Sequence, residues 1–354
     1  MQSHVASISV HAQPALRYEA DMPVASERIV VTRRDQLELL PWQAPDPGRG
    51  EVRIRVDHTA VSFGDIMLRR HVFRRRPPVA VPGYEVVGTV DAAGDQAGFA
   101  PGDPVAAFVE YGGNARHAVV PARDVVPLPP GIDRAAAAAA VLNYATALGL
   151  IETAGLTAGD DFAVHGASGG VGTAVLDLAR PLGLRAIGIT RGPQDRRLRA
   201  LGARLVDARS KALVADVRAV VGGGVRAVFD GRAGRGLWAS RAMLRPGGAL
   251  VVFGLSAVAR RGLSGALGTA GTLATLALFG ALPGKRRAVF AMDRTFHREP
   301  ERVRAWVAHA LDLLARGDIA PVIGARLPLS RIADAHRLVE TGAIVGKVVL
   351  DAQT

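Results

Sequence analysis

Between Arg28 and Pro129 the apolar positions come in short runs rich in β-branched residues: RIVV, LELL, EVRIRVDHTAVS, GYEVVGTVDAAG, PVAAFV and ARHAVV. Such runs predict strands, and the DPGRG, PGD and GGN stretches between them are turn signals. At Asp133 the period changes. DRAAAAAAVLNYATALGLIETAG consists of strong helix formers, opens on Asp133 and closes near Gly155, which predicts one long helix. Beyond it strands and helices alternate: DFAVH, helix, RAIGIT, helix, ARLVD, RAVFD, helix, ALVVFG. That βαβα rhythm predicts an open parallel sheet. A long helix over EPERVRAWVAHALDLLARG and a final strand, VGKVVLD, close the chain.

These shifts give an α/β architecture in four parts. Residues 1–27 read as a flexible leader without the basic-then-apolar order of a signal peptide, which makes the cytoplasm the expected compartment. Residues 28–136 form the β-rich domain, 137–294 the doubly wound parallel-sheet domain, and 295–354 a helix and strand that return to the first.

The alternating half carries AVHGASGGVGTAVLDLAR, Ala163 to Arg180. Phe162 to His165 supply a strand, and Gly166 to Gly172 a turn. Val171, Ala174, Val175, Leu178 and Leu182 follow at helical spacing. Ser168, Gly169, Gly170, Val171 and Gly172 form the expected pyrophosphate cradle. Gly169 lets backbone approach an anion, Gly172 lets helix and strand pack closely, and the helix dipole favours negative charge. The match is A-x-G-x-x-G, since Ala167 holds the first glycine position. An NAD site wants an acid at the end of the next strand. Here RAIGIT ends on Thr190 and continues with Arg191. Arg191, with Arg196 behind it, suits a 2′-phosphate, so NADP(H) is the expected coenzyme; Asp195 dissents from a position in the next helix's first turn. None of the four tyrosines has lysine four residues on, so the Tyr-x-x-x-Lys pair of short-chain reductases is absent. None of the three lysines completes a P-loop.

Composition changes the picture at three points. The formal net charge is +12, almost all arginine in an Ala- and Gly-rich chain, and this skew reads as coding bias. With only 5% aromatic residues, no nucleic-acid partner is expected. The run Arg69 to Arg76 reads as a solvated face, or else as a rim that attracts an anion. Zero cysteines remove disulfides, thiolate nucleophiles and Cys-held zinc, and the nine histidines show no metal-spaced pair on one helix; His165 reads as structural. Finally, Leu263 to Leu282 is twenty residues without a charge, flanked by Arg260, Arg261, Lys285, Arg286 and Arg287. Its Gly, Ala, Ser and Thr content makes it a weak membrane span. A buried or interface helix is expected, with membrane-surface contact as the alternative.

In order and spacing, PGYEVVGTV (82–90), PGDPVAAF (101–108), VLNYATAL (141–148), VHGASGGVG (164–172), LRPGGALVVFG (244–254) and VGKVVL (345–350) resemble the medium-chain dehydrogenase/reductase superfamily. The resemblance spans Arg28 to Asp351 and implies a Rossmann domain beside a GroES-like β-rich catalytic domain, often in homodimers. Zinc-dependent members hold their metal with an early Cys and the His of a G-H-E motif. Here that motif reads Gly83-Tyr84-Glu85, and no Cys exists. The chain therefore resembles the zinc-free, zeta-crystallin-like quinone oxidoreductases, and more weakly a subgroup with a synaptic-vesicle membrane member. The likeness implies that Thr146 approaches the nicotinamide and that Phe253 and Gly254 mark the strand end beside it. VSFGD matches a V-N-F-x-D pattern, with Ser62 in place of Asn and Asp65 retained.

Without a metal, a conjugated acceptor must spread the charge that hydride transfer builds, which points to a quinone or an α,β-unsaturated carbonyl rather than an alcohol. Ser62, Asp65, Tyr84 and Tyr144 are the candidate catalytic side chains. Two alternatives stand beside this reading. One is an NADPH-binding protein that docks to membranes or a partner through Leu263–Leu282. The other is an enoyl-thioester reductase whose Arg69–Arg76 run meets a phosphopantetheine.

Overall fold

The computed structural model describes residues 23–32, 35–70, 72, 79–192, 196–256 and 262–354. Strand β1 (Val24–Val31) pairs antiparallel with β2 (Leu37–Ala44). The β-rich character of the next hundred residues resolves into β3 (Glu51–Val61), a short helix α1 (Phe63–Arg69), β4 (Glu85–Ala93), β5 (Pro104–Phe108), β6 (His117–Pro121) and β7 (Val125–Pro127). β3 runs antiparallel to both β4 and β6. Val52, Ile54 and Val56 alternate along β3 into a core shared with Val86, Val90 and Val105, as a half-buried strand requires.

Helix α2 (Arg134–Ala154) joins the two halves. Asp133 caps it, accepting from the amides of Ala135 and Ala136 at 2.8 and 3.2 Å, and Gly155 ends it at φ 63°. Such a cap is worth about 1 kcal/mol. The alanine run lets α2 pack closely on β-strands along one side and on helices along the other, so it is buried almost all round.

Next come β8 (Asp161–His165), α3 (Gly170–Ala179), β9 (Arg185–Thr190), α4 (Arg196–Ala200), β10 (Arg204–Asp207), α5 (Leu213–Val221), β11 (Val225–Asp230), α6 (Leu237–Met243), β12 (Leu244–Val252), α7 (Gly262–Ala281) and β13 (Arg286–Val289). The six strands are parallel in the order β10-β9-β8-β11-β12-β13. The order reverses between β8 and β11, and this switch point opens a crevice at the strands' carboxyl ends. The chain then forms α8 (Met292–Arg298), α9 (Pro300–Ala315), β14 (Ile323–Pro328), α10 (Ile332–Thr341) and β15 (Lys347–Asp351). β15 pairs parallel with β14 and antiparallel with β3, so the chain's end completes the first sheet. The expected architecture, a doubly wound Rossmann sheet beside a GroES-like β-rich domain, is present.

All three domain boundaries read from the sequence fall inside elements: β1 starts at Val24, α2 spans 136/137 and α8 spans 294/295. Composition changes where an element begins, whereas these elements belong to both sides. Residues 1–22 of the expected leader lie outside the described residues. The uncharged segment, expected as a buried or interface helix, is not buried throughout in the single chain. α7 buries a stripe through Thr272, Leu276 and Phe279, while Leu267, Leu273 and Leu278 are 62%, 60% and 47% exposed. By length and composition α2 and α7 could each cross a membrane, but α2 is a core helix and α7 lies on the surface.

Candidate active site

The glycine turn leaves β8 at the switch point. Gly166 has φ +72°, a conformation that favours glycine. A Cβ on Gly172 would stand 2.3 Å from the Gly166 carbonyl oxygen, so helix and strand meet there at backbone distance. A Cβ on Gly170 would stand 2.5 Å from Asn143 Nδ2 on α2. Gly169 differs: its Cβ would meet only the Gly166 oxygen, at 3.3 Å, and the residue is exposed. The start of α3 thus presents open backbone amides at the positive end of a ten-residue helix. Ser168 and Val171 flank this opening, partly exposed. Such a cradle fits a pyrophosphate.

Beside it, Asp230 at the end of β11 is 2% exposed and accepts from the amides of Arg232 and Ala233 and from Ser240 Oγ. Ser240 also meets His165 Nε2 at 3.0 Å. Burial pushes the His165 pKa down, so His165 is a neutral structural group. The ring of Phe253 lies over Gly231, and a Cβ on Gly254 would meet the Gly231 oxygen at 2.6 Å. Thr146 is 6% exposed, one helical turn beyond Asn143 on the same face of α2.

Thr190 is buried at the end of β9, and its hydroxyl accepts from the Gly192 amide. Arg191 and Arg196 are exposed beyond it. The acid nearest in register, Asp207 on β10, is held by Arg209 at 3.0 Å. Among the described residues this strand end is basic; Asp195 lies outside them. Arg69 and Arg70 both pair with Glu340 of α10, whereas Arg74 to Arg76 lie outside the described residues.

Across the crevice, Ser62 caps α1. Asp65 accepts from the amides of Ser62 and Gly83, each at 2.7 Å, and so fixes two loops to each other. Burial pushes the Asp65 carboxyl up to about 6 against the pull of those amides and of Lys347. Glu85, 0% exposed, is pushed by burial up to about 7, with Lys347 opposing. Lys347 Nζ lies 2.7 Å from Glu85 Oε1 and 2.8 Å from Ser62 Oγ. Tyr84 lays its hydroxyl over Gly64, where a Cβ would come within 2.6 Å of it. Burial, then the charge of Asp65, keeps this phenol well above its ordinary pKa, so it stays a donor.

Tyr144 is not part of this group. It is 2% exposed, and its hydroxyl donates to Asp177 of α3, which also accepts from the Ala320 amide at 2.7 Å. A phenol bonded to a buried carboxylate ties α2 to α3, so the structure does not bring Tyr144 together with Ser62, Asp65 and Tyr84. Sequence reasoning also passed over Glu85, Asn143 and Lys347. One signal for Lys347 was present: it is one of three lysines among 44 basic residues. In a chain that uses arginine almost everywhere, a retained lysine marks a place where a compact, three-donor cation is needed.

The donor set does not suit zinc. Among the described residues no three His, Cys, Asp or Glu side chains converge, and the centre of the cluster already holds the ammonium of Lys347. A second cation there would meet a like charge.

Residues 48–130 match the alcohol dehydrogenase GroES-like domain family, and residues 201–350 match the zinc-binding dehydrogenase family. The synaptic vesicle membrane protein VAT-1 homolog of Rattus norvegicus is 28% identical, over 89% of this chain and 80% of its own length. The mycoketide-CoA synthase of Mycobacterium tuberculosis is 29% identical over 89% of this chain but only 7% of its own length. Among solved structures, a mycobacterial protein complexed with NADPH superposes with TM-score 0.80 at 27% identity, covering 92% of this chain and 99% of that one. The human VAT-1 homolog-like protein superposes with TM-score 0.78 at 25% identity, covering 94% and 99%. The two family matches each take in part of one sheet, and the likenesses run through the residues between them. The chain belongs to the medium-chain dehydrogenase/reductase superfamily, in its zinc-free, zeta-crystallin-like quinone oxidoreductase branch.

Proposed function

We propose that this protein is a zinc-independent, NADPH-dependent reductase of quinones or α,β-unsaturated carbonyls. The observation that carries the reading is one connection. The Gly346 amide donates to the Ser168 carbonyl of the glycine turn at 2.9 Å, and the next residue is Lys347 of the buried cluster. An anion cradle and a polar, lysine-centred site are thereby joined through consecutive residues. The mycobacterial relative solved with NADPH supports the coenzyme.

The coenzyme, when bound, supplies the hydride. The open amides of Gly170 to Gly172 would hold its pyrophosphate, and Arg191 and Arg196 would meet the 2′-phosphate. Thr146, Phe253 and Gly254 border the nicotinamide. Asp65 keeps the Ser62 and Gly83 loops in register, and Ser62 and Tyr84 donate to the substrate oxygen. The test is NADPH consumption against quinones, enals, enones and enoyl thioesters, with and without a chelator. Turnover of quinones or enones that resists chelation is expected, and no turnover with any of them overturns the reading. Arg191→Ala should raise the NADPH Michaelis constant about tenfold and change that of NADH by less than about twofold.

The mycoketide-CoA synthase relative favours a second reading, reduction of a carrier-bound enoyl thioester. Strong activity on thioesters with weak activity on free enals would select it.

We further propose a homodimer. β13 is an edge strand, Val289 on it is 58% exposed, and the exposed leucines of α7 lie directly upstream. Extending the sheet across β13 would cover both. Light scattering should give twice the chain mass, and Val289→Lys should halve it. A monomer that co-sediments with anionic vesicles would instead assign α7 to a lipid surface.

A further inference from the structure

The ammonium of Lys347 has donors and no acceptor. At 2.8 Å from Ser62 Oγ it can only donate, so the serine oxygen must accept. That fixes the direction of the serine's own hydrogen. Among the described residues no acceptor takes it, and Ser62 is partly exposed at the first turn of α1. Lys347 and Glu85 lie behind it, 3% and 0% exposed. The groups of opposite charge facing Lys347 are Glu85, in contact, and Asp65, farther off. Of the side chains that Lys347 contacts, Ser62 is therefore the one with a hydrogen left to offer outward, backed by the Lys347 ammonium.

We propose that Lys347 acts as a positioning residue that turns Ser62 into a charge-assisted donor toward a ligand oxygen that gains negative charge. The inference rests on the reductase reading above and names the chemistry its substrate must have: an oxygen that becomes enolate- or phenolate-like when hydride arrives at the conjugated carbon. The Ser62 hydrogen bond strengthens as that charge grows, whereas a neutral carbonyl gains little from it. Ser62 is the catalytic residue in this arrangement. Lys347 never touches substrate; it acts by occupying the serine's lone pair and placing its charge behind the hydroxyl. Glu85 holds Lys347 in place.

Two measurements test it. The first needs no turnover: 4-nitrophenol is titrated into the protein with and without NADP+, and the visible phenolate band is read against pH. Wild type should bind it as the phenolate, with the bound phenol's pKa at least about one unit below that of the free probe. Ser62→Ala should remove most of that shift, and so should Lys347→Met/Glu85→Gln, which removes both members of the contacting charge pair and leaves Asp65 on its two amides. Combining all three substitutions should remove no more than either set alone. The second measurement is steady-state reduction of the best substrate. Ser62→Ala should lower kcat on the order of 10- to 100-fold with KM changed less than about threefold. Lys347→Arg should recover part of what Lys347→Met loses, since it retains the charge and a donor.

The inference is overturned if Ser62→Ala leaves the phenolate band and kcat within about twofold of wild type, if the losses multiply in the combined variant, or if 4-nitrophenol shows no saturable binding. Phenolate stabilisation in a protein that reduces nothing in the panel would remove the reductase reading and leave the donor pair standing. Turnover that ignores Ser62 would do the reverse. Thermal melting of each variant separates these outcomes from misfolding.

Discussion

Gly346 donates its amide hydrogen to the Ser168 carbonyl at 2.9 Å, tying the entry of β15 to the glycine turn. No other residue type fits at 346. Its φ is +90°, and a Cβ would stand 2.0 Å from the Val322 oxygen. Gly346→Ala must therefore shift β14 or β15. We expect a loss of about 2–4 kcal/mol in urea unfolding, together with weaker coenzyme binding. A variant as stable as wild type would show that the strand entry relaxes without cost.

The two glycines that frame the cradle should separate folding from binding. Gly172→Ala puts a methyl group 2.3 Å from a carbonyl oxygen and should cost about 3 kcal/mol. Gly169→Ala meets nothing closer than 3.3 Å, so its melting temperature should stay near that of wild type. Its coenzyme affinity should still fall about tenfold, because the added methyl would stand where the pyrophosphate nears the backbone. Calorimetric titration with NADPH checks both.

Tyr144→Phe removes one donor from Asp177 and leaves the Ala320 amide in place. Stability should fall by about 1–3 kcal/mol, the range for hydrogen bonds to charged groups, while kcat stays within about twofold. A drop in kcat of tenfold or more at full stability would restore Tyr144 to the reaction.

Glu85 makes stability depend on pH with a definite sign. Burial raises its pKa from 4.5 to about 7, so between those values the folded chain binds more protons than the unfolded chain. The stabilisation from this group is complete below pH 4.5 and is lost as pH rises through about 7. Glu85→Gln cannot titrate, so its stability relative to wild type should improve by about 3 kcal/mol between pH 4.5 and 7.5. Asp65, raised by burial to about 6, adds a slope of the same sign that both proteins share. Paired denaturation curves at the two pH values read the difference. A gap that stays constant would mean that Glu85 is ionised throughout.

What this sequence determines alone is local. Strand runs, the capped helix behind Asp133 and the glycine turn are legible because the 2.0 and 3.6 periods, caps and turn residues act within a few neighbours. Order and spacing of motifs added the family, the coenzyme cradle and the Ser62–Asp65 loop. Tertiary structure decided the rest. Lys347 reaches Ser62 across 285 positions because β15 pairs with β3, and no local period records that pairing. Tyr144, equally placed by sequence to face a crevice, turns to Asp177 because α3 packs on that face of α2. α7 has the composition of a buried helix, yet it covers one edge of the sheet and finds no second layer, so its leucines stay exposed among the described residues. Burial, charge pairing and hydrogen-bond direction depend on which distant segments meet, and only the packed chain fixes that.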